Sequence, residues 1–283
     1  MSMRIKPTNA TADRKDAFAM WDLLGLSVGL SLLVLGGMAW AGRVGTDSRS
    51  VLCVANLRQL ASGWSSYSAD HQGQLPISGG GGVSALPDTW APGWLDFSRS
   101  PQNFDVTTTL ARGQLWSYVG TNARAFRCPD DSTGVRVGTI FNQRIRSYSM
   151  NSQMTGSGQV GFWNPSTLWL VYTNVQQFAI DEPARRFVFT EEHPGSINDD
   201  MMIVDMTGYP QSPGSWRMLD FPAAFHSGSG TFVFADQHAE IKAWQDPRTS
   251  PSVMDRPIVL NVPLPGSPDV LWMQERTTRA VKP

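Results

Sequence analysis

One segment, residues 14–41, limits what this chain can be more than any other. The run from Leu23 to Ala41 has no charged residue and is long enough to cross the hydrocarbon core of a membrane as a helix. Asp22 stands directly before this run. A carboxylate in a membrane segment costs roughly 2.5–3.5 kcal/mol at mid-depth and less near the interface. Asp22 therefore indicates that the segment does more than anchor the chain.

The residues around the apolar run predict its orientation and leave three interpretations open. Basic side chains precede the run and place the leader in the cytoplasm and the rest of the chain outside: Arg4, Lys6, Arg14 and Lys15. The segment can be an uncut anchor, or a secretory signal peptide cut after Ala39-Trp40-Ala41. Neither of these gives Asp22 a role. The third interpretation does, and it rests on the residues before Leu23.

The composition of the remaining chain is that of a loop-rich exported domain that contains strands. The 283 residues have a net charge of −1, so the chain lacks the basic excess typical of nucleic-acid binding. Charged residues make up 17%, while 26 glycines, 19 prolines and 11 tryptophans are prominent. This balance argues against a helical bundle.

The two cysteines, Cys53 and Cys128, are far apart in the sequence. Without partner cysteines nearby they do not make a zinc site by themselves. In a domain outside the cytoplasm they can form a disulfide, which would contribute about 4 kcal/mol in the chain-entropy model. The alternative is a pair of buried free thiols.

Apolar spacing predicts a helix after the membrane segment and several short strands. One amphipathic face recurs every three or four residues and predicts a helix to about Ala69: Val51, Val54, Leu57, Leu60, Ala61, Trp64 and Tyr67. A short helix is expected at Gln114–Tyr118. The predicted strands are Trp169–Tyr172, Phe187–Thr190, Met201–Val204, and a hairpin of Gly230–Ala235 with His238–Trp244.

The stretch from Ala17 to Leu24, AFAMWDLL, resembles the leader of type IV pilins and type II secretion pseudopilins. Ala17, Trp21 and Asp22 stand where that family usually has Gly, a branched apolar residue and Glu. The resemblance implies that prepilin peptidase cuts before Phe18, that Phe18 is methylated, and that Asp22 is the acidic fifth residue of the mature chain. Phe18 and Asp22 lie one helical turn apart. The new amine could thus pair with Asp22 of a neighbouring subunit and set the register of packed helices.

Further motifs extend the resemblance over roughly residues 18–275. The stretch Cys53–Leu60 is similar to a C-x-x-N-L-K-Q-L helix found in a pseudopilin-like family. Nine residues separate His226 from Asp236, as in the family's C-terminal H-X9-DG motif, with Gln237 in place of Gly. Four other segments also fit the family: Leu115–Gly120, Phe126–Asp130, Arg146–Asn151 and Glu192–Asp199.

Carboxylates and histidines in the C-terminal half suggest a metal, but their spacing matches no H-E-x-x-H helix. A structural hydrogen bond is the simpler role for His226 and Asp236. Oxygen ligands of the kind that Ca²⁺ prefers are offered by Glu192, Asn198, Asp199 and Asp236. Major pseudopilins bind calcium in a C-terminal loop, so the resemblance also points to this ion. We expect no catalytic residues.

The expected fold is α+β and pilin-like. A cytoplasmic leader (residues 1–17) precedes a transmembrane helix (18–41), which continues as an amphipathic helix (42–70). That long N-terminal helix packs on an antiparallel sheet with long loop insertions, in an exported globular domain (71–283).

The expected function is structural rather than enzymatic. The resemblance implies a pseudopilin-like subunit of the bacterial inner membrane, with a cytoplasmic N-terminus and a periplasmic domain, in a type II secretion or type IV pilus-like system. Its partners would be prepilin peptidase, other pilin-like subunits and the secretion machinery, and not nucleic acid. The alternative is an exported, membrane-anchored module that binds carbohydrate or peptide through its tryptophans, or a metal-dependent enzyme.

Overall fold

The structure is a computed structural model, and it describes residues 49–79, 89–158 and 164–281. Helix α1 covers residues 49–70 and helix α2 covers Pro268–Thr277. The strands are β1 (Gly134–Val137), β2 (Ile140–Gln143), β3 (Tyr148–Asn151), β4 (Phe187–Glu191), β5 (Met201–Met202), β6 (Arg217–Met218), β7 (Ser229–Phe234), β8 (Ala239–Ala243) and β9 (Val262–Pro263). Short 3₁₀ helices lie between them: Pro101–Asn103, Val106–Thr108, Leu110–Arg112, Ala123–Phe126, Val175–Ala179, Pro183–Arg185, Pro213–Ser215 and Pro247–Thr249.

Helix α1 buries one face along its described length. Cys53, Leu57, Leu60 and Trp64 recur three or four residues apart, and all four are buried. The helix ends before Gly73, which has a φ of +84° and donates its N–H to the Ser68 carbonyl at 2.7 Å. A residue in this left-handed conformation is the usual way to end a helix, and glycine adopts it without strain.

A five-stranded sheet forms the centre of the domain, in the order β5-β3-β4-β7-β8. The pairs β3–β4, β4–β7 and β7–β8 are antiparallel, whereas β3 and β5 run parallel. Two small antiparallel pairs, β1–β2 and β6–β9, lie outside this sheet.

The sheet has an apolar layer on each face, which explains why β7 is buried along its whole length. Val233 points to the layer that contains Leu57 and Leu60 of α1. Its neighbours Phe232 and Phe234 belong to the other layer, which includes residues of α2. This alternation follows from the two-residue period of a strand.

The expected pilin-like fold with an antiparallel sheet is wrong, because β3 and β5 run parallel and the sheet is mixed. The parallel neighbour arises because the chain leaves β4, turns through residues 192–200, and places β5 on the far side of β3. There Met150 and Ser152 donate N–H groups to the carbonyls of Asp200 and Met202 at 3.0 and 3.1 Å. A strand as short as Met201–Met202 has too few residues for periodicity to reveal its direction.

The second correction concerns the membrane-spanning helix that the expected fold required. Among helices in the described ranges, none has both the length and the apolar character that crossing a bilayer demands. The segment from Leu23 to Ala41, on which the expectation rests, lies outside the described residues, as do Ala17, Phe18 and Asp22.

The individual elements agree with expectation to different degrees. Helix α1 covers the predicted amphipathic stretch, and β4, β7 and β8 lie where strands were predicted. Residues 114–118 form turns instead of a helix. In the predicted strand Trp169–Tyr172, the end residues make isolated bridges, Trp169 to Ala280 and Tyr172 to Met154.

Candidate metal centre

Four ionisable side chains from four separate parts of the fold meet in the interior. Cys53, Cys128, Glu191 and His226 each present one atom, and these atoms lie within 4.8 Å of one another. Sulfur, nitrogen and carboxylate oxygen are the donors that proteins use for zinc. The way in which each residue reaches this point is set by local structure.

The two cysteines are brought together by contacts between α1 and the loop after the 3₁₀ helix Ala123–Phe126. Cys53 lies on the buried face of α1, one turn before Leu57. Asn56 holds the loop by donating its side-chain amide to the carbonyls of Arg124 and Arg127 at 3.2 and 2.9 Å. Cys128 follows Arg127 directly and is therefore held beside the helix.

Glu191 and His226 are placed by the central sheet. Glu191 ends β4, and its backbone carbonyl accepts the Ala223 N–H at 3.0 Å. That bond draws the segment before β7 alongside the end of β4. His226, three residues further on, then lies with its Nε2 atom 2.9 Å from Oε1 of Glu191.

Contacts inside the cluster are short. The Cys53 thiol donates to Oε1 of Glu191 at 2.6 Å, and Cys128 Sγ lies 3.7 Å from Nε2 of His226. Both cysteines are free thiols in this structure and fully buried. The predicted disulfide stays a prediction, and the two sulfur atoms lie within 4.8 Å of each other.

The pKa values show how strongly these groups depend on one another. Burial raises the pKa of the Cys53 thiol well above its ordinary value, and contacts with Cys128 and Glu191 raise it further. Burial alone would lower the pKa of His226, but hydrogen bonds to Cys128 and Glu191 outweigh it and raise that pKa to about 10. Burial opposes ionisation of Glu191, yet its contacts with His226 and the thiols lower its pKa. Glu191 and His226 therefore form a buried ion pair beside the neutral Cys53 thiol.

A second ring of contacts orients three of the four groups. Nδ1 of His226 faces Oδ2 of Asp130 and the Ser50 hydroxyl, each at 3.1 Å. Oε2 of Glu191 accepts the Thr231 N–H at 2.8 Å. The Tyr148 hydroxyl lies 3.1 Å from Cys53 Sγ. His226, Glu191 and Cys53 therefore each have an outer partner that fixes their orientation, the arrangement typical of metal ligands.

The structure places the predicted H-X9-D pair apart. His226 lies in the buried cluster, whereas Asp236 lies in the exposed β7–β8 turn and bonds to His238 there. The intervening strand β7 separates the two residues by its full length. A direct His226–Asp236 hydrogen bond is therefore absent from the described structure.

The predicted calcium ligands do not surround a common point. Glu192 is buried, with its carboxylate accepting from Ser149 and Ser196 at 2.5 and 2.7 Å. Asp199 accepts the Met201 N–H at 2.9 Å. By the β4–β7 register, Asp236 lies at the Phe187 end of β4, roughly 16 Å of strand from Glu192.

The fourth predicted ligand, Asn198, accepts the N–H of Asp199 through Oδ1 at 2.7 Å. It is therefore engaged in a local turn next to Glu192 and Asp199. Calcium binding stays a prediction, and Asp236 cannot share an ion with the other three.

Buried carboxylates form a separate cluster beside Glu192. Burial raises the pKa of Asp220 to about 8, and the nearby charge of Asp199 contributes to that shift. Burial and Asp199 likewise raise the pKa of Asp200 to about 7. Arg146, fully buried, donates to the Asp199 carbonyl at 2.5 Å. At neutral pH these shifts keep Asp220 largely protonated and leave Asp200 partly ionised.

Sequence reasoning identified three of the four clustered residues but assigned them differently. Cys53 and Cys128 were expected as a disulfide, and His226 as part of a motif with Asp236. Glu191 was not assigned. Its signal is a carboxylate at the end of the apolar strand Phe187–Glu191, since an acid at a buried strand end needs a partner.

A cavity of about 500 Å³ opens beside the cluster. Cys128, Asn56 and Arg127 are among the residues that line it.

Comparison of the chain with protein-family models, with curated proteins and with solved structures finds no match.

Proposed function

We propose that this chain is a pseudopilin-like structural subunit of the bacterial inner membrane, assembled through its N-terminal segment in a type II secretion or type IV pilus-like system. The observation that supports this most is the attachment of α1. Along residues 49–70 one face of the helix is buried against the domain, and α1 follows the apolar run Leu23–Ala41 closely in the sequence.

Firm packing of α1 on the domain suits a subunit whose membrane segment must hold that domain in a fixed position. Leu57 and Leu60 are fully buried and Trp64 is 2% exposed. Burying a side chain of this kind stabilises the docked helix by about 1.5–3 kcal/mol. A binding module on a tether needs no such contact, because a flexible linker would serve it equally well.

The leader supplies the assembly contact in this proposal. Cleavage before Phe18 creates an α-amine one helical turn from Asp22. In a bundle of subunits that amine pairs with Asp22 of a neighbour, which offsets the cost of a carboxylate in the membrane. The partners are prepilin peptidase, other pilin-like subunits and the secretion machinery, with the domain on the periplasmic side.

Mass spectrometry of the mature N-terminus tests the proposal. We expect a chain that begins with N-methylated Phe18 when the protein is produced with a prepilin peptidase. An N-terminus at Gly42 would show a signal peptide instead. An intact leader would show an uncut anchor, and either result would contradict the proposal. An anchored binding module or enzyme would leave Asp22 without a role.

A substitution separates assembly from insertion. In Asp22→Ala we expect loss of co-assembly with partner subunits, measured by cross-linking in membranes, while membrane insertion persists. Asp13→Ala is the matched control, because Asp13 lies in the leader that cleavage removes. Equal assembly of both variants would overturn the role given to Asp22.

A further inference from the structure

We infer that Cys53, Cys128, Glu191 and His226 bind one Zn²⁺ ion in a closed structural site that joins α1 to the central sheet. The inference rests on the described geometry and does not depend on the proposed function. Three features of the cluster support it: the donors fit zinc, outer contacts orient them, and a disulfide would leave Glu191 and His226 unexplained.

The donor atoms are spaced for a tetrahedral ion. Zinc takes sulfur at about 2.3 Å and nitrogen or oxygen at about 2.0–2.2 Å, so neighbouring ligand atoms lie about 3.3–3.8 Å apart. The 3.7 Å from Cys128 Sγ to His226 Nε2 meets this spacing. The 2.6 Å from Cys53 to Glu191 and the 2.9 Å from Glu191 to His226 need an expansion of less than about 1 Å.

The outer contacts prepare three of the four ligands for the charge each would have. Asp130 and Ser50 occupy the Nδ1 side of His226 and leave Nε2 for the ion. The Thr231 N–H donates to the remaining oxygen of Glu191. The Tyr148 hydroxyl can donate to the Cys53 thiolate. Binding releases three protons to the solvent buffer, one from each thiol and one from Nε2 of His226, and four bonds to the ion form in their place.

A disulfide would use the two sulfurs and would not account for Glu191 and His226. Both are buried against the thiols, with side-chain exposures of 0% and 3%. Burying ionisable groups is costly unless charge and hydrogen bonds compensate. A divalent cation among two thiolates and a carboxylate supplies that compensation. Because four protein donors complete a tetrahedral shell, the site is structural rather than catalytic.

The test measures metal on the full-length chain, purified in detergent without chelator. Inductively coupled plasma mass spectrometry should find about one zinc per chain. Cys53→Ser and Cys128→Ser should each reduce this to below about a tenth. The controls are His238→Ala and Glu240→Gln, which change a histidine and a glutamate, the residue types of His226 and Glu191, in the exposed β7–β8 hairpin and should retain the metal.

A spectroscopic measurement on the unaltered protein guards against variants that fail to fold. After chelation, added Co²⁺ should produce the sulfur-to-cobalt charge-transfer and intense visible bands of a tetrahedral thiolate site. Intact mass gives the competing outcome, because a disulfide lowers the mass by two hydrogens. A metal-free chain with a disulfide, a metal-free chain with free thiols, or zinc retained in the cysteine variants would each overturn the inference.

Discussion

The two ends of β7 carry the same chemistry in opposite surroundings. Before the strand, His226 contacts Glu191 and Asp130, and the side chains of His226 and Glu191 are 3% and 0% exposed. After it, His238 contacts Asp236 and Glu240, and these side chains are 35–45% exposed. Each site is a histidine between two carboxylates, yet only the first has thiols beside it among the described residues.

The comparison shows that burial, more than residue type, decides what such a constellation can do. In the exposed turn, water solvates each charge, and the ion pairs contribute little to stability. In the interior each group depends on its neighbours, and a missing partner leaves an uncompensated charge. The buried end is therefore the one that can hold an ion and join separate parts of the fold.

The largest expected effect comes from matched substitutions at the two ends. Glu191→Gln removes the charge between Cys53 and His226, and we expect a loss of about 3–5 kcal/mol in the free energy of unfolding. Glu240→Gln makes the same change at the exposed end, where we expect less than about 0.5 kcal/mol. Denaturant titration of both variants and the unaltered chain measures the difference.

Equal losses of unfolding free energy in the two variants would contradict the expected difference between the buried and the exposed end. They would show that the buried charges do not depend on one another. If Glu191→Gln is still less stable than the chelated unaltered protein, the residue contacts account for the loss. If chelation makes the unaltered protein as unstable as the variant, the metal accounts for it.

An effect that is smaller for each pH unit is expected from a buried acid outside the metal cluster. Asp220 has a pKa raised to about 8 in the folded chain, against about 3.9 when unfolded. Between these values the unfolded chain binds fewer protons, so stability falls as pH rises. For one such group the slope is about 1.4 kcal/mol per pH unit.

Asp220→Asn should remove this slope, because an amide does not titrate. Its oxygen can still accept the Ile203 N–H, which Asp220 binds at 2.7 Å. We expect the variant to gain stability relative to the unaltered chain between pH 5 and pH 8, measured by thermal unfolding. Asp236→Asn in the exposed turn is the control and should follow the unaltered chain. Parallel curves for all three proteins would contradict the assigned burial of Asp220.

The sequence predicts those parts of the fold in which periodicity is strong and local. The buried face of α1 has a helical period, and β7 with β8 shows alternation and a turn at Asp236. The mixed sheet is not predictable in this way, because β5 spans two residues and its direction depends on the path of the preceding loop.

The candidate metal centre, like the fold, is predictable from the sequence only in part. Cys53, Cys128 and His226 stand out as residue types, so sequence reasoning selected them. Their common location depends on contacts that no spacing reveals, such as the Asn56 bonds to the loop before Cys128 and the bond from Ala223 to Glu191. The expected His226–Asp236 pair failed because a fully paired strand holds the two ends apart.

X-ray absorption at the zinc edge, on the purified full-length chain, is the most direct test of zinc binding by Cys53, Cys128, Glu191 and His226. We expect a first shell of two sulfur atoms at about 2.3 Å and two nitrogen or oxygen atoms at about 2.0–2.2 Å. A shell of nitrogen and oxygen alone, or a protein without bound zinc, would contradict it.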